Sequence, residues 1–251
     1  MKKWKPRYAQ MCQDLFAYLM LEKKTNLTYV DVGCRDPYEN NNTWFLEKTL
    51  NFTGLSFDII DYSDIWLKRN SVFIQEDGIT ADFNKIFKKY EMPNVIDYLT
   101  RDLEGNGDRY KGLINLPFDE YDFKVITIEH DAYRGYDQSE RQPQRDFLES
   151  KGYVLVASNV CSHAGDQQED WWINPKYISR DIYLPFVSES QKFSKIFKFC
   201  GYDVDLLYDE GERWKNESLV KKIENLHKKN YMAGERAKEL QINTSKSAKK
   251  H

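Results

Sequence analysis

Asp31, Asp58, Asp77, Asp102 and Glu129 each stand at or just beyond the end of a short apolar run. Further carboxylates and one histidine lie beside them: Asp36, Asp61, Glu76, Glu104, His130 and Asp131. A carboxylate can take both hydroxyls of a ribose diol, accept from an exocyclic amine, hold an ammonium, or remove a proton from a hydroxyl. Gathered without cations, such groups repel one another. A cationic or hydroxyl-rich ligand is their natural complement.

Whether these residues meet depends on the elements that carry them. Apolar runs at 28–33 (TYVDVG), 54–60 (GLSFDII), 71–75 (SVFIQ), 95–101 (VIDYLTR) and 123–129 (FKVITIE) read as strands, and a sixth opens at 153–156. Helical spacing falls at 43–50, 63–70, 81–90 and 144–151, with Gly152 placed for a left-handed cap. Before them, Tyr8, Cys12, Leu15 and Leu19 predict a helix over 8–22. This alternation predicts an α/β fold with a mostly parallel central sheet flanked by helices. In such sheets ligands bind outside the carboxyl ends of the strands, where these acids fall. Past residue 178 the pattern becomes helical, as in Phe193, Ile196, Phe197 and Cys200, then Leu219, Ile223 and Leu226. The expected division is a helical segment over 1–27, a core over 28–178, a helical appendage over 179–242 and a disordered tail over 243–251.

Composition narrows the function. The 251 residues hold 37 basic and 40 acidic side chains, a net charge of −3, which argues against a nucleic-acid binder. Apolar residues at 41% suffice for a packed core, and aromatics at 15% exceed what a core alone needs. No apolar run is long enough to span a bilayer, and no signal-peptide pattern follows the basic start. Cys12, Cys34, Cys161 and Cys200 are scattered, the usage of a reducing compartment, so a cytoplasmic protein is expected. Gly33 is followed by no second glycine at dinucleotide-site spacing, and no P-loop is present. A cofactor with a ribose, an adenine and a positive charge but no phosphate fits better, and S-adenosylmethionine has all three. Asp58 is placed for the ribose diol, Asp77 for the adenine amine, and the loop around Asp31 and Asp36 for the methionine ammonium.

The segments Val30-Asp-Val-Gly33, Gly54-Leu-Ser-Phe-Asp58 and above all Ile96-Asp-Tyr-Leu-Thr-Arg-Asp-Leu-Glu-Gly105 resemble the FkbM-type S-adenosylmethionine-dependent O-methyltransferases. Phe147-Leu-Glu-Ser-Lys-Gly-Tyr153 and Asp170-Trp-Trp-Ile-Asn-Pro175 are similar to that family's closing segments. The resemblance covers residues 28–178. It departs at Cys34-Arg35-Asp36-Pro37, where a second small residue is usual, and at Asn106-Gly107, where Ala-Glu is common. The resemblance implies a Rossmann-like class I methyltransferase acting on a hydroxyl, often of a sugar or a polyketide.

A sugar hydroxyl needs a general base or a metal to become nucleophilic. Asp102, at the end of the fourth strand, is the expected base, with His130 as a second catalytic candidate. Asp102, Glu129 and His130 are the expected ligands if Mg²⁺ or Mn²⁺ takes part. Asp31, Gly33, Arg35, Asp58, Asp77 and Glu104 are the expected cofactor contacts, with Glu104 alternatively paired to Arg101 or Arg109. Acceptor recognition falls to the insertion 131–143, with Tyr133, Arg134, Tyr136 and Arg141, and to 158–175, with Trp171 and Trp172. Glu129 joins that set, and one tryptophan of the pair is expected in the core. The partner is then a sugar or glycan acceptor. A non-sugar small-molecule acceptor and a non-catalytic Rossmann-like module of a glycan-processing protein are the alternatives. His163 is read as an ordinary surface or core residue.

Overall fold

The computed structural model describes residues 2–3, 9–38, 40–104, 108–162 and 164–203. His163, Leu219, Ile223, Leu226 and the expected tail lie outside the described residues. The strands of the main sheet are β1 (Thr28–Val32), β2 (Thr53–Asp58), β3 (Val72–Gln75), β4 (Val95–Arg101), β5 (Asp122–Glu129), β6 (Val154–Cys161), β7 (Gln167–Ile173) and β8 (Ser188–Glu189). They lie in the order β3-β2-β1-β4-β5-β7-β6-β8. All neighbours are parallel except β7, which runs antiparallel to both β5 and β6. A parallel sheet with the chain reversing direction at β1 and one antiparallel strand near its far side is the Rossmann-like class I methyltransferase arrangement.

Register follows from the apolar runs. Val30, Val32, Leu55, Phe57, Leu99, Ile126 and Trp172 pack on one face, with Phe83 and Phe87 of α3 (Phe83–Lys89) and Leu148 of α5 (Gln142–Ser150). Tyr29, Tyr98, Val125, Trp171 and Ile173 pack on the other. That second layer is closed by α1 (Gln13–Met20), α2 (Trp44–Leu50) and α6 (Phe193–Phe199). Both faces are covered, so the strands carry apolar runs instead of strict alternation. The aromatic surplus is largely core: Trp171 lies 4.9 Å from the Phe16 ring and 5.9 Å from that of Phe197.

Several boundaries differ from the sequence expectation. The helix expected over 8–22 shortens to α1, because Cys12 takes left-handed φ of 62° at its start. The helix expected over 63–70 is one 3₁₀ turn, Trp66–Lys68; it ends where Arg69 turns its side chain inward. A helix that the periodicity did not reveal, α4 (Asp108–Ile114), follows β4. Gly152 takes φ of 84°, the left-handed cap its position predicted.

The largest correction concerns 158–175. This segment is the end of β6, a tight reversal and β7, not an acceptor-binding loop. Glu169, Trp171 and Ile173 face one core layer while Trp172 faces the other. Both tryptophans are wholly buried, not one. Among the described residues no helix is long and apolar enough to cross a membrane, and the four cysteines are free thiols.

Candidate active site

The carboxyl ends of β1, β2 and β4 are brought together by glycine. Gly33 takes φ of +83°, and a Cβ there would stand 1.8 Å from the carbonyl oxygen of Asp102. Its N–H and that of Cys34 donate to the Phe57 carbonyl at 2.9 and 3.0 Å, turning the chain across β2. Arg35, exposed and at φ of 50°, then donates its backbone N–H to Asp58 Oδ2 at 2.8 Å. Asp58 Oδ1 accepts from Ile60 N at 2.9 Å. Each oxygen keeps a second lone pair for a ligand. Burial, partly offset by these amides, raises the Asp58 carboxyl above its usual range. Ile59 beside it is 64% exposed, an apolar surface at the strand end.

Asp77 makes its own turn, accepting from Ile79 N at 2.8 Å. Asp31 is buried and accepts from Thr43 Oγ1 at 2.8 Å; burial pushes it up to about 7. Thr43 is held in turn by Arg69, which donates to it at 2.8 Å and to Glu47 Oε2, the Pro37 carbonyl, Asn41 Oδ1 and the Tyr29 hydroxyl at 2.9 to 3.1 Å. One buried guanidinium thus shapes the loop between β1 and α2. From that loop Asn42 donates to Thr100 Oγ1 at 2.8 Å, and Thr100 is the register partner of Asp31. Asn42 Oδ1 is buried without a hydrogen-bond partner among the described residues. An orphaned acceptor beside a carboxyl group suits an incoming ammonium.

A second cluster lies at the ends of β4, β5 and β7. The half-buried carboxyl groups of Asp102 and Glu129 are hydrogen-bonded to each other. Glu129 rises well above its usual range, through burial first and then through the charge and hydrogen bond of Asp102 and the charge of Asp131. Arg109 of α4 opposes this, donating to Glu129 Oε2 from Nε at 3.2 Å and from Nη2 at 3.1 Å, and to Asp131 Oδ2 at 2.9 Å. Glu169, opposite Glu129 in the β5–β7 register, accepts from Trp171 Nε1 at 2.7 Å and Gln13 Nε2 at 2.5 Å. Burial pushes it up to about 8. Two carboxyl groups in contact oppose each other's ionisation, which adds to burial in raising Glu129.

The other expected residues divide. Arg134 reaches Asp131 at 3.2 Å and Glu104 at 3.4 Å, while Glu104 is 81% exposed and lies 3.9 Å from Arg109. Tyr133 is exposed, and its hydroxyl accepts from Arg134 Nε at 2.8 Å. The Tyr136 ring stands 5.7 Å from the Arg109 guanidinium. These four connect to the Glu129 side of the pair through Arg109 and Asp131. Trp171 does not: it is 0% exposed, its indole N–H spent on Glu169 inside the core.

His130 is buried as well, turned toward a structural network. Its Nδ1 accepts from Ala132 N at 3.1 Å, which leaves the proton on Nε2, and Nε2 faces Asp170 Oδ1 at 3.4 Å. Arg145 grips Asp170 at 2.6 and 2.9 Å. Burial works to raise the Asp170 carboxyl, but Arg145 and the His130 ring outweigh it and hold it down to about 2. Nδ1 is therefore engaged by Ala132, while Nε2 points at Asp170 without a hydrogen-bond partner among the described residues. The set of Asp102, Glu129 and His130 does not converge as a metal site, and no cluster of three potential ligands forms among the described residues.

Sequence spacing missed Glu169 and Asn42, and it named Arg109 only as an alternative partner of Glu104. Arg109 sits on a helix that the periodicity did not reveal, and Glu169 on a strand read as part of the acceptor-recognition segment. Asn42 carried no signal at all.

No family profile matches the chain, and no curated protein matches it by sequence. Among solved structures it is similar to a protein from Clostridium thermocellum assigned as an rRNA-methylase, at 15% identity and a TM-score of 0.44, covering 68% of this chain and 99% of that one. It is also similar to the fibrillarin of Aeropyrum pernix in complex with S-adenosyl-L-methionine, at 11% identity and a TM-score of 0.44, covering 66% of this chain and 74% of that one. Likeness this distant assigns no residue a role. The strand order identifies the fold on its own: methyltransferase-like, of Rossmann type.

Proposed function

We propose that the chain is an S-adenosylmethionine-dependent O-methyltransferase acting on a hydroxyl of a sugar or glycan. The observation that carries this reading is the hydrogen-bonded Asp102–Glu129 pair at the carboxyl edge of the sheet, beside the glycine turn that joins β1 to Asp58.

The residues present suit that cofactor. Asp58 offers a carboxylate to a ribose diol, Ile59 an apolar surface to an adenine, and Asp77 an acceptor to its amine. Asp31 and the unpartnered Asn42 Oδ1 offer acceptors to an ammonium. When bound, the cofactor supplies a methyl group on a sulfonium, whose transfer forms the O–C bond, breaks the C–S bond and leaves a neutral thioether.

The chain's own part is to orient the acceptor and take its proton. Asp102 accepts the hydroxyl proton as the oxygen attacks, while Glu129 keeps the pair's first proton. Both give way to solvent exchange afterwards. Tyr133 and Tyr136 present faces on which the C–H side of a sugar ring can rest, and Arg134 and Glu104 can bond its hydroxyls. His130, with its Nδ1 taken by the Ala132 N–H, is given no part in the step.

The test is transfer of labelled methyl to a panel of sugar and non-sugar hydroxyl acceptors. Label on a sugar oxygen that falls at least 100-fold in Asp102→Asn, with cofactor affinity retained, supports the reading. Label on no hydroxyl of any acceptor, despite cofactor binding, overturns it.

A further inference from the structure

Arg109 is wholly buried although it is a guanidinium, and it spends its donors on carboxylates. Both Nε and Nη2 fall on one oxygen, Glu129 Oε2. The usual arginine–carboxylate fork would engage both oxygens in parallel. Here Nη2 also reaches Asp131 Oδ2, so the guanidinium ties the turn after β5 to the Glu129 carboxyl group. We infer that Arg109 is the positioning residue of the Asp102–Glu129 pair. By holding Oε2 twice it fixes the Glu129 carboxyl group in place beside Asp102, leaving Asp102 to receive the proton of the acceptor. This rests on the methyltransferase reading.

A second buried guanidinium, Arg101, feels the charges of Glu140, Asp102 and Glu129. Its Nη2 donates to the Asp108 carbonyl and its Nε and Nη1 have no hydrogen-bond partner among the described residues, so the grip on Glu129 falls to Arg109. Asp131 and Glu169 face Glu129 as further carboxylates, from the turn after β5 and from β7. Glu104 lies outside on the exposed side, and Arg134, itself exposed, bonds Asp131 and Glu104. Arg109 is the buried cation that touches Glu129 directly. Gly112 of the same helix has Arg101 packed against it, which fixes the height of α4 above the end of β4. The guanidinium is therefore delivered by a rigid element, not by a loop.

The sign of the expected effect follows from charge. Arg109 lowers the Glu129 carboxyl against burial, so its removal makes the pair harder to ionise. Catalysis needs the pair with one proton; the doubly protonated form cannot accept another. In Arg109→Gln the acid limb of the kcat–pH profile should rise by about one pH unit or more. Titration of the Glu129 carboxyl, followed by carbon NMR on glutamate-labelled protein and assigned with Glu129→Gln, should rise with it. Arg109→Lys restores the charge but not the two-point grip, so its acid limb should return toward wild type while kcat stays about 10-fold low. Calorimetric affinity for S-adenosylmethionine should change little in either variant.

A folded Arg109→Gln protein whose Glu129 titration does not move overturns the inference. So does an Arg109→Lys protein with wild-type kcat, which also serves if the Gln variant does not fold. Wild-type protein that binds no S-adenosylmethionine overturns the methyltransferase reading instead, and the NMR titration keeps the two failures apart.

Discussion

Gly33 and Asp102 meet so closely that a Cβ on residue 33 would lie 1.8 Å from the Asp102 carbonyl oxygen. The contact sets the end of β1 against the end of β4, and with it the Asp31 region against the Asp102–Glu129 pair. Gly33→Ala has to relieve both this clash and a φ of +83°. We expect a loss of about 3 kcal/mol or more in unfolding free energy, measured by denaturant titration. A loss within about 0.5 kcal/mol would show that the two strand ends are not held as described.

Stability should fall as pH rises from weakly acidic to mildly alkaline. Asp31 and Glu169 are raised on folding to about 7 and about 8. The folded state then binds more protons than the unfolded one above pH ~4, the ordinary carboxylate range. The stability such groups contribute is full below that value and is lost as pH climbs through the folded values. Asp170 has the opposite sign: held down to about 2, it contributes above pH ~4 and loses that contribution as pH falls toward its folded value. The apo protein should therefore melt highest near pH 5 and lower at pH 8. Asp31→Asn and Glu169→Gln should each flatten that decline, and melting curves with an unchanged slope would refute the assignment.

Trp171 and Tyr133 should separate stability from acceptor binding. Trp171→Ala removes a ring packed between Phe16 and Phe197, and the expected cost is about 3–5 kcal/mol. Tyr133→Ala touches an exposed ring and should leave the melting temperature unchanged, while the acceptor KM rises about 10-fold at similar kcat. Steady-state kinetics beside thermal melts distinguish the two. A Tyr133→Ala protein with unaltered acceptor KM would remove that ring from the acceptor site.

Much of this arrangement was legible in the residues. The strands were readable because a sheet covered on both faces needs continuous apolar runs. The carboxylates followed because strand ends are where polar side chains resume, as at Asp58 and Asp102. What escaped reading depended on partners distant in sequence. Glu169 looks like a loop residue until Gln13, 156 positions away, and Trp171 are seen to satisfy it. His130 resembled a catalytic base until Ala132 took its Nδ1 and the buried ring turned Nε2 toward Asp170. The Trp pair resembled a sugar platform because buried and stacking aromatics have the same composition. Only the alternation of β7 between two cores separates them.

Asp58→Ala should weaken S-adenosylmethionine by about 10-fold or more, as expected for a charge-assisted bond to the diol. Asn42→Leu, which removes the unpartnered acceptor, should weaken it by a similar factor. Calorimetry with each folded variant measures both. Equal affinity in the Asp58 variant would detach that carboxylate from the cofactor.

Calorimetric titration of the wild-type chain with S-adenosylmethionine tests the central claim most directly. The account predicts saturable one-to-one binding that S-adenosylhomocysteine displaces. No binding of either compound at millimolar concentration would contradict it.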